Sequence, residues 1–205
     1  MPDNNNENDD FWVSHGGVLR VRQLVRGYDV SEQSDQWPGA VQEVEAAMSE
    51  QVMPLTLAER PLLLVEDNPD DEMLTLRALE KNAIPNPVIV AHDGVEALDY
   101  LFGRGPHVGR NLDVMPAMIL LDLNLPRVDG LEVLREIRAN RRTHLLPVVV
   151  LTTSKEQQDI ERAYVCGANS YIRKQVDFER LLATISQIGL YWLTLNEPPK
   201  LPLID

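Results

Sequence analysis

Six side chains able to do chemistry stand directly after, or at the end of, short apolar runs. Glu66 and Asp67 follow LLLV, Asp122 follows MILL, Thr152 and Thr153 follow VVVL, and Lys174 stands two residues beyond the run that closes on Ile172. An ionised carboxylate at the end of an apolar segment is costly unless it is paired or bound to a metal. If the runs lie side by side, three carboxylates, hydroxyls and one ammonium converge on a single rim. Carboxylates so placed repel one another, and a hard divalent cation with oxygen ligands, Mg²⁺ first among them, offsets that repulsion. Asp67 and Asp122 have almost no competing explanation, but the other residues have plainer ones. An acidic pair after a strand often caps a helix, Thr152 alone reads as a β-branched strand terminus, and Lys174 alone reads as an exposed ammonium. Asp129 and Gly130 read as the turn and cap of a helix, and Asp70 as the cap of an earlier one. His15, His92, His107 and His144 show no ligand spacing and read as surface residues.

The elements that must position these groups are legible from the rhythm after Pro61. Apolar runs at Leu62 to Val65, Val88 to Ala91, Met118 to Leu121, Val148 to Leu151 and Asn169 to Ile172 read as five strands. Helix-length segments alternate with them: Asp70 to Asn82, Asp93 to Phe102, Leu131 to Asn140, Lys155 to Cys166 and Asp177 to Leu195. The third has its apolar stripe at Leu131, Leu134 and Ile137, and the last at Phe178, Leu181, Leu182, Ile185 and Ile188. Helices between strands require parallel crossovers, and runs apolar at every position suit strands covered on both faces. The expected fold class is therefore α/β, a doubly wound five-stranded parallel sheet, whose ligands lie beyond the carboxyl ends of the strands. Gly103 to Met115 reads as a longer loop on the opposite side of the sheet.

Composition bounds the partners. The 205 residues carry a formal charge of −13, which repels a polyanionic backbone, so direct nucleic-acid binding is disfavoured. Cys166 is the single cysteine and reads as a small buried apolar residue. No stretch approaches the roughly 20 apolar residues of a membrane helix, and the acidic amino terminus is unlike a signal peptide, so a soluble cytoplasmic protein is expected. Residues 1–52, with ten acidic and three basic side chains, read as a weakly ordered extension. Within it Val18 to Val25 alternates and Ala40 to Met53 suggests a short amphipathic helix; Met53 could itself be the true start.

LLLVEDN, MILLDLNLPRVDG, PVVVLTT and the late lysine resemble the receiver domain of two-component response regulators, over roughly two-thirds of the chain, from about Pro61 to Leu195. The resemblance implies a flavodoxin-like (βα)5 receiver at 60–196 with strand order 2-1-3-4-5, followed by a tail at 197–205. It implies that Asp122 accepts a phosphoryl group from a sensor histidine kinase, with Mg²⁺ held by Asp67, Asp122 and the backbone carbonyl of Asn124, and by Glu66 through water. Lys174 would pair with a phosphoryl oxygen and the Thr152 hydroxyl would donate to another, while Tyr171 would follow Thr152 inward as a switch. Such a protein is not an enzyme beyond its own phosphoryl acceptance and dephosphorylation. Two departures stand out: Gln175 replaces the proline that usually follows the lysine, and Thr153 is larger than the residue usual beside the phosphorylation site.

With few residues after the last helix, output is expected through protein contacts. IGLYWLTL is apolar on nearly all sides, so Leu190, Tyr191, Trp192 and Leu193 are expected to form a homodimer interface together with the helix 4, strand 5 and helix 5 face. Tyr191, Trp192 and Leu193 with the following Asn-Glu-Pro-Pro resemble the tail of stand-alone response regulators paired with bacterial phytochrome histidine kinases, implying a light-sensing partner. Three rivals compete. A phosphatase with an aspartyl-phosphate intermediate needs a second acid where Asn124 stands. A phosphorylation-independent binding module would not need the full set of acidic, hydroxyl and lysine residues. A flavodoxin needs a phosphate loop absent after the first strand.

Overall fold

The computed structural model describes residues 56–199; the readings made for residues 1–52, including His15, and for the tail beyond 199 lie outside them. The elements alternate as β1 (Leu62–Val65), α1 (Pro69–Lys81), β2 (Val88–Ala91), α2 (Gly94–Phe102), β3 (Met118–Leu121), α3 (Gly130–Ala139), β4 (Val148–Thr152), α4 (Gln157–Val165), β5 (Ser170–Arg173) and α5 (Phe178–Gly189), closing on a π-helical segment, Leu190–Leu195. The strands form one sheet in the order β2-β1-β3-β4-β5, every pair parallel.

The two-residue period of a strand explains why the central runs are apolar throughout. Leu63, Val65, Ile119, Leu121, Val148 and Val150 face one core layer, shared with Leu101 of α2 and Leu134 of α3. Leu62, Leu64, Met118, Leu120, Val149 and Leu151 face the other, shared with Ala78 and Leu79 of α1 and Leu181, Ile185 and Ile188 of α5. β2 and β5 lie at the sheet edges and are only partly covered. Register sets the site. Val65 pairs with Ala91 and Leu121, and Leu121 with Val150, so Glu66 and Asp122 emerge side by side. Thr152 pairs with Arg173, which brings Lys174 to the same edge.

Several local expectations need correction. Asn68, not Asp70, caps α1: its side chain accepts from the backbone N–H groups of Asp70 and Asp71, and Pro69 occupies the first turn, where its missing N–H costs nothing. Asp129 caps α3 as expected, accepting from Glu132 N. The helix read from Asp177 to Leu195 has Asp177 as its cap and changes to π-helix after Gly189. The segment after Gly103 is organised rather than open: it holds a 3-10 turn at Gly105–His107, and Arg110 donates to the carbonyls of Tyr100, Asn111 and Val114. His92 is exposed, but His107 and His144 are half-buried, and the ring of His107 meets Tyr100 edge-on at 5.2 Å. Cys166 is half-buried against the first core layer. Among the described residues no helix is long and apolar enough to cross a membrane.

Candidate functional site

Glu66, Asp67 and Asp122 each offer a carboxylate oxygen within 4.8 Å of the others. Glu66 and Asp122 are buried and Asp67 is exposed. Backbone N–H groups hold the buried pair: Asn68 N donates to Glu66 Oε1 at 3.3 Å, and Asn124 N donates to Asp122 Oδ1 at 3.1 Å. The ammonium of Lys174, only 8% exposed, reaches Glu66 Oε2 at 2.5 Å, Asp122 Oδ2 at 2.6 Å and Asp71 Oδ2 at 2.9 Å. Asp71 escaped sequence reasoning because it looks like any acid in the first turn of a helix and its partner lies 103 residues away.

Charge balance at this edge is uneven. Burial disfavours the Lys174 ammonium, but hydrogen bonds to Asp122 and Glu66, the Asp122 charge and the bond to Asp71 together raise its pKa above the ordinary lysine value. Burial pushes the Glu66 carboxyl up to about 7, against the pull of Lys174 and with help from the Asp122 charge. One ammonium thus pairs with three carboxylates, with Asp67 a fourth beside them, and an all-oxygen donor set with excess negative charge fits a hard dication.

Thr152 is buried at the end of β4, and its Oγ1 accepts from Ser154 N at 3.4 Å. Tyr171 on β5 is half-buried, and its hydroxyl donates to Ser154 O at 3.3 Å. Both expected switch residues therefore meet at Ser154, which sequence reasoning passed over and whose own hydroxyl donates to Asp159 at 2.6 Å. Burial raises the Tyr171 pKa, partly offset by the Ser154 bond. Thr153 is exposed. No peptide bond among the described residues is cis, so Lys174 joins Gln175 through a trans bond.

Two glycines let the loops close in. A Cβ on Gly130 would lie 2.2 Å from Asp122 O and 2.6 Å from Leu123 Cα, and one on Gly94 would lie 2.2 Å from Val128 O. Asp93 caps α2 with one oxygen and pairs with Arg127 through the other, tying the loop after β2 to the loop after β3. Of the residues expected at an interface, Leu190 and Tyr191 are exposed, as is Leu195, whereas Trp192 and Leu193 pack against their own core.

A doubly wound parallel sheet with an acidic cluster and a buried lysine at its carboxyl edge defines the class: an open α/β protein whose candidate ligand site lies where such sheets carry theirs. Residues 62–186 match the response regulator receiver domain model. The chain belongs to the response regulator receiver family. It is 46% identical over 145 residues to a probable methanogenesis regulatory protein, FilR2, of Methanothrix harundinacea, covering 69% of this chain and 90% of that one. The phosphorylated cyanobacterial phytochrome response regulator RcpA superposes with a TM-score of 0.64 at 38% identity, covering 69% of this chain and 99% of that one. The Mn²⁺-bound form of response regulator Rcp1 gives 0.63 at 36% identity, covering 68% and 99%; Rcp1 of Synechocystis is 37% identical over 132 residues, covering 64% of this chain and 88% of that one.

Proposed function

We propose that the chain is a phosphoaccepting response regulator whose phosphoryl group is carried on Asp122. The observation that carries this reading is the buried Asp122 carboxylate at the end of a central strand, with the Lys174 ammonium 2.6 Å away and Glu66 and Asp67 beside it. A carboxylate oxygen of Asp122 attacks phosphorus of a phosphohistidine on a sensor kinase. The new P–O bond forms as the P–N bond breaks, and the imidazole leaves with its electron pair. The loose transition state needs positioning and charge neutralisation more than covalent assistance, and Lys174 is placed to supply both. Asp67, Asp122 and the backbone carbonyl of Asn124 would hold Mg²⁺, with Glu66 acting through water. Bound there, the cation would neutralise charge on the transferred oxygens.

Thr152 and Tyr171 form the readout in this proposal. Drawing the Thr152 hydroxyl toward a phosphoryl oxygen breaks its contact with Ser154 N, and Tyr171, bonded to the same residue, must re-pack. The likeness to RcpA, a phytochrome response regulator, supports a phytochrome-type histidine kinase as the donor. The exposed Leu190, Tyr191 and Leu195 support a homodimer through the carboxyl-terminal segment. Asp122→Asn should abolish labelling by a phosphorylated kinase or by phosphoramidate while leaving the circular dichroism spectrum unchanged. Persistent acid-labile, base-labile label on the variant would overturn the assignment.

A further inference from the structure

An ammonium has three N–H donors, and those of Lys174 have three carboxylate partners: Glu66, Asp122 and Asp71. No donor is spare for a newcomer. Glu66 and Asp122 flank Lys174 inside the acidic cluster, whereas Asp71 comes from outside it, on the first turn of α1, and its side chain is 30% exposed. Its backbone is fixed by the cap, since Asp71 N donates to the Asn68 side chain at 3.3 Å. The Asp71 carboxylate is not itself a capping acceptor, so its hydrogen bond to Lys174 is not a by-product of helix capping.

We infer that Asp71 is a positioning residue that competes with the phosphoryl group for the Lys174 ammonium and thereby shortens the life of the phosphorylated state; the inference rests on the function proposed above. Phosphorylating one oxygen of Asp122 gives an acyl phosphate and turns the charged carboxylate into a neutral carbonyl acceptor, so the donor pointed at Asp122 is the one most readily redirected to a phosphoryl oxygen. Asp71 keeps its full negative charge and keeps pulling the ammonium toward α1. It also repels the dianionic phosphoryl group from the rim. Both effects act against the phosphorylated state. Hydrolysis then breaks the aspartyl P–O bond as water oxygen bonds to phosphorus, releasing inorganic phosphate and restoring the carboxylate.

The test compares the full chain with Asp71→Asn, an isosteric change that removes the charge. With Mg²⁺ present, beryllofluoride affinity is read by ¹⁹F NMR, and dephosphorylation is timed after labelling with phosphoramidate. Asp71→Asn should bind beryllofluoride more tightly and hold phosphate longer, each by roughly three- to tenfold, the span of a single ion pair between exposed and part-buried settings. Asp71→Glu should stay close to wild type. If Asp71 serves only the helix, melting temperature changes while affinity and lifetime do not, and the inference fails. It also fails if Asp71→Asn binds more weakly, because Asp71 would then be a tether and not a competitor. Failure of the underlying reading looks different: wild type itself would bind no beryllofluoride and take no label.

Discussion

Replacing Glu66 with glutamine isolates what it costs to keep a carboxylate at the sheet edge. Burial is the larger influence and lifts this carboxyl from 4.5 to about 7, although Lys174 stands 2.5 Å away and opposes the rise. A folded pKa above the unfolded one means that, between those values, the folded chain binds more protons than the unfolded chain. Stability contributed by the protonated group is therefore present below pH 4.5 and lost as pH rises through 7. At 1.36 kcal/mol per pH unit, the gap corresponds to a loss of about 3 kcal/mol. Glutamine has the shape of the protonated acid and does not titrate. The stability of Glu66→Gln minus that of wild type should thus climb by about 3 kcal/mol between pH 4.5 and 8, measured by urea unfolding in EDTA. The rest of a surface with formal charge −13 titrates in both chains and cancels. Adding Mg²⁺ at pH 8 should shrink the difference, because a dication gains more from an ionised Glu66 than from an amide. A difference that stays flat or falls with pH would refute the reasoning, since Lys174 would then outweigh burial and keep the carboxylate charged throughout.

Two further substitutions probe the frame around this chemistry. Gly130→Ala places a methyl against Asp122 O and Leu123 Cα, so the loop must shift; unfolding free energy should fall by about 1–3 kcal/mol and Mg²⁺ affinity, by calorimetry, should fall with it. Tyr191→Glu puts a charge on an exposed aromatic of the carboxyl-terminal segment and should convert dimers to monomers in light-scattering chromatography without lowering the melting temperature; a wild-type chain already monomeric at high concentration would overturn the proposed dimer.

Legibility of the fold followed burial. β1, β3 and β4 are covered on both faces, so each is an uninterrupted apolar run, with Thr152 added only at the end of β4, and those runs mark the strands to within a residue. β5, SYIR, sits at an edge with one face half open, and its observed span, Ser170–Arg173, is displaced by one residue from the run that the apolar pattern suggested. The last helix departs from its apolar pattern for a different reason. Its apolar residues continue to Leu195, but a Cβ on Gly189 would meet Ile84 Cδ1 at 2.8 Å, and beyond that close approach the π-helical segment directs Trp192 and Leu193 onto the core. A hydrophobic pattern records which residues are buried, not the helical pitch that buries them.

The site divides along the same line. The clustering of Glu66, Asp67 and Asp122 is legible because a parallel sheet places its strand ends together, so position in sequence already implies position in space. Asp71, Ser154 and Arg127 are not legible, because each acts through a partner on another element. Arg127 is the sharpest case: it adopts φ 66, a left-handed conformation unusual for a residue with a side chain, and it pairs across two loops with Asp93. Neither the dihedral nor the pair leaves a motif. Together with the absent side chains at Gly94 and Gly130, that pairing fixes the loop carrying Asn124, and hence the backbone nearest Asp122. The residue types at the rim set which chemistry is available, whereas a contact such as that of Asp71 with Lys174 joins two distant elements and no single-element pattern identifies it.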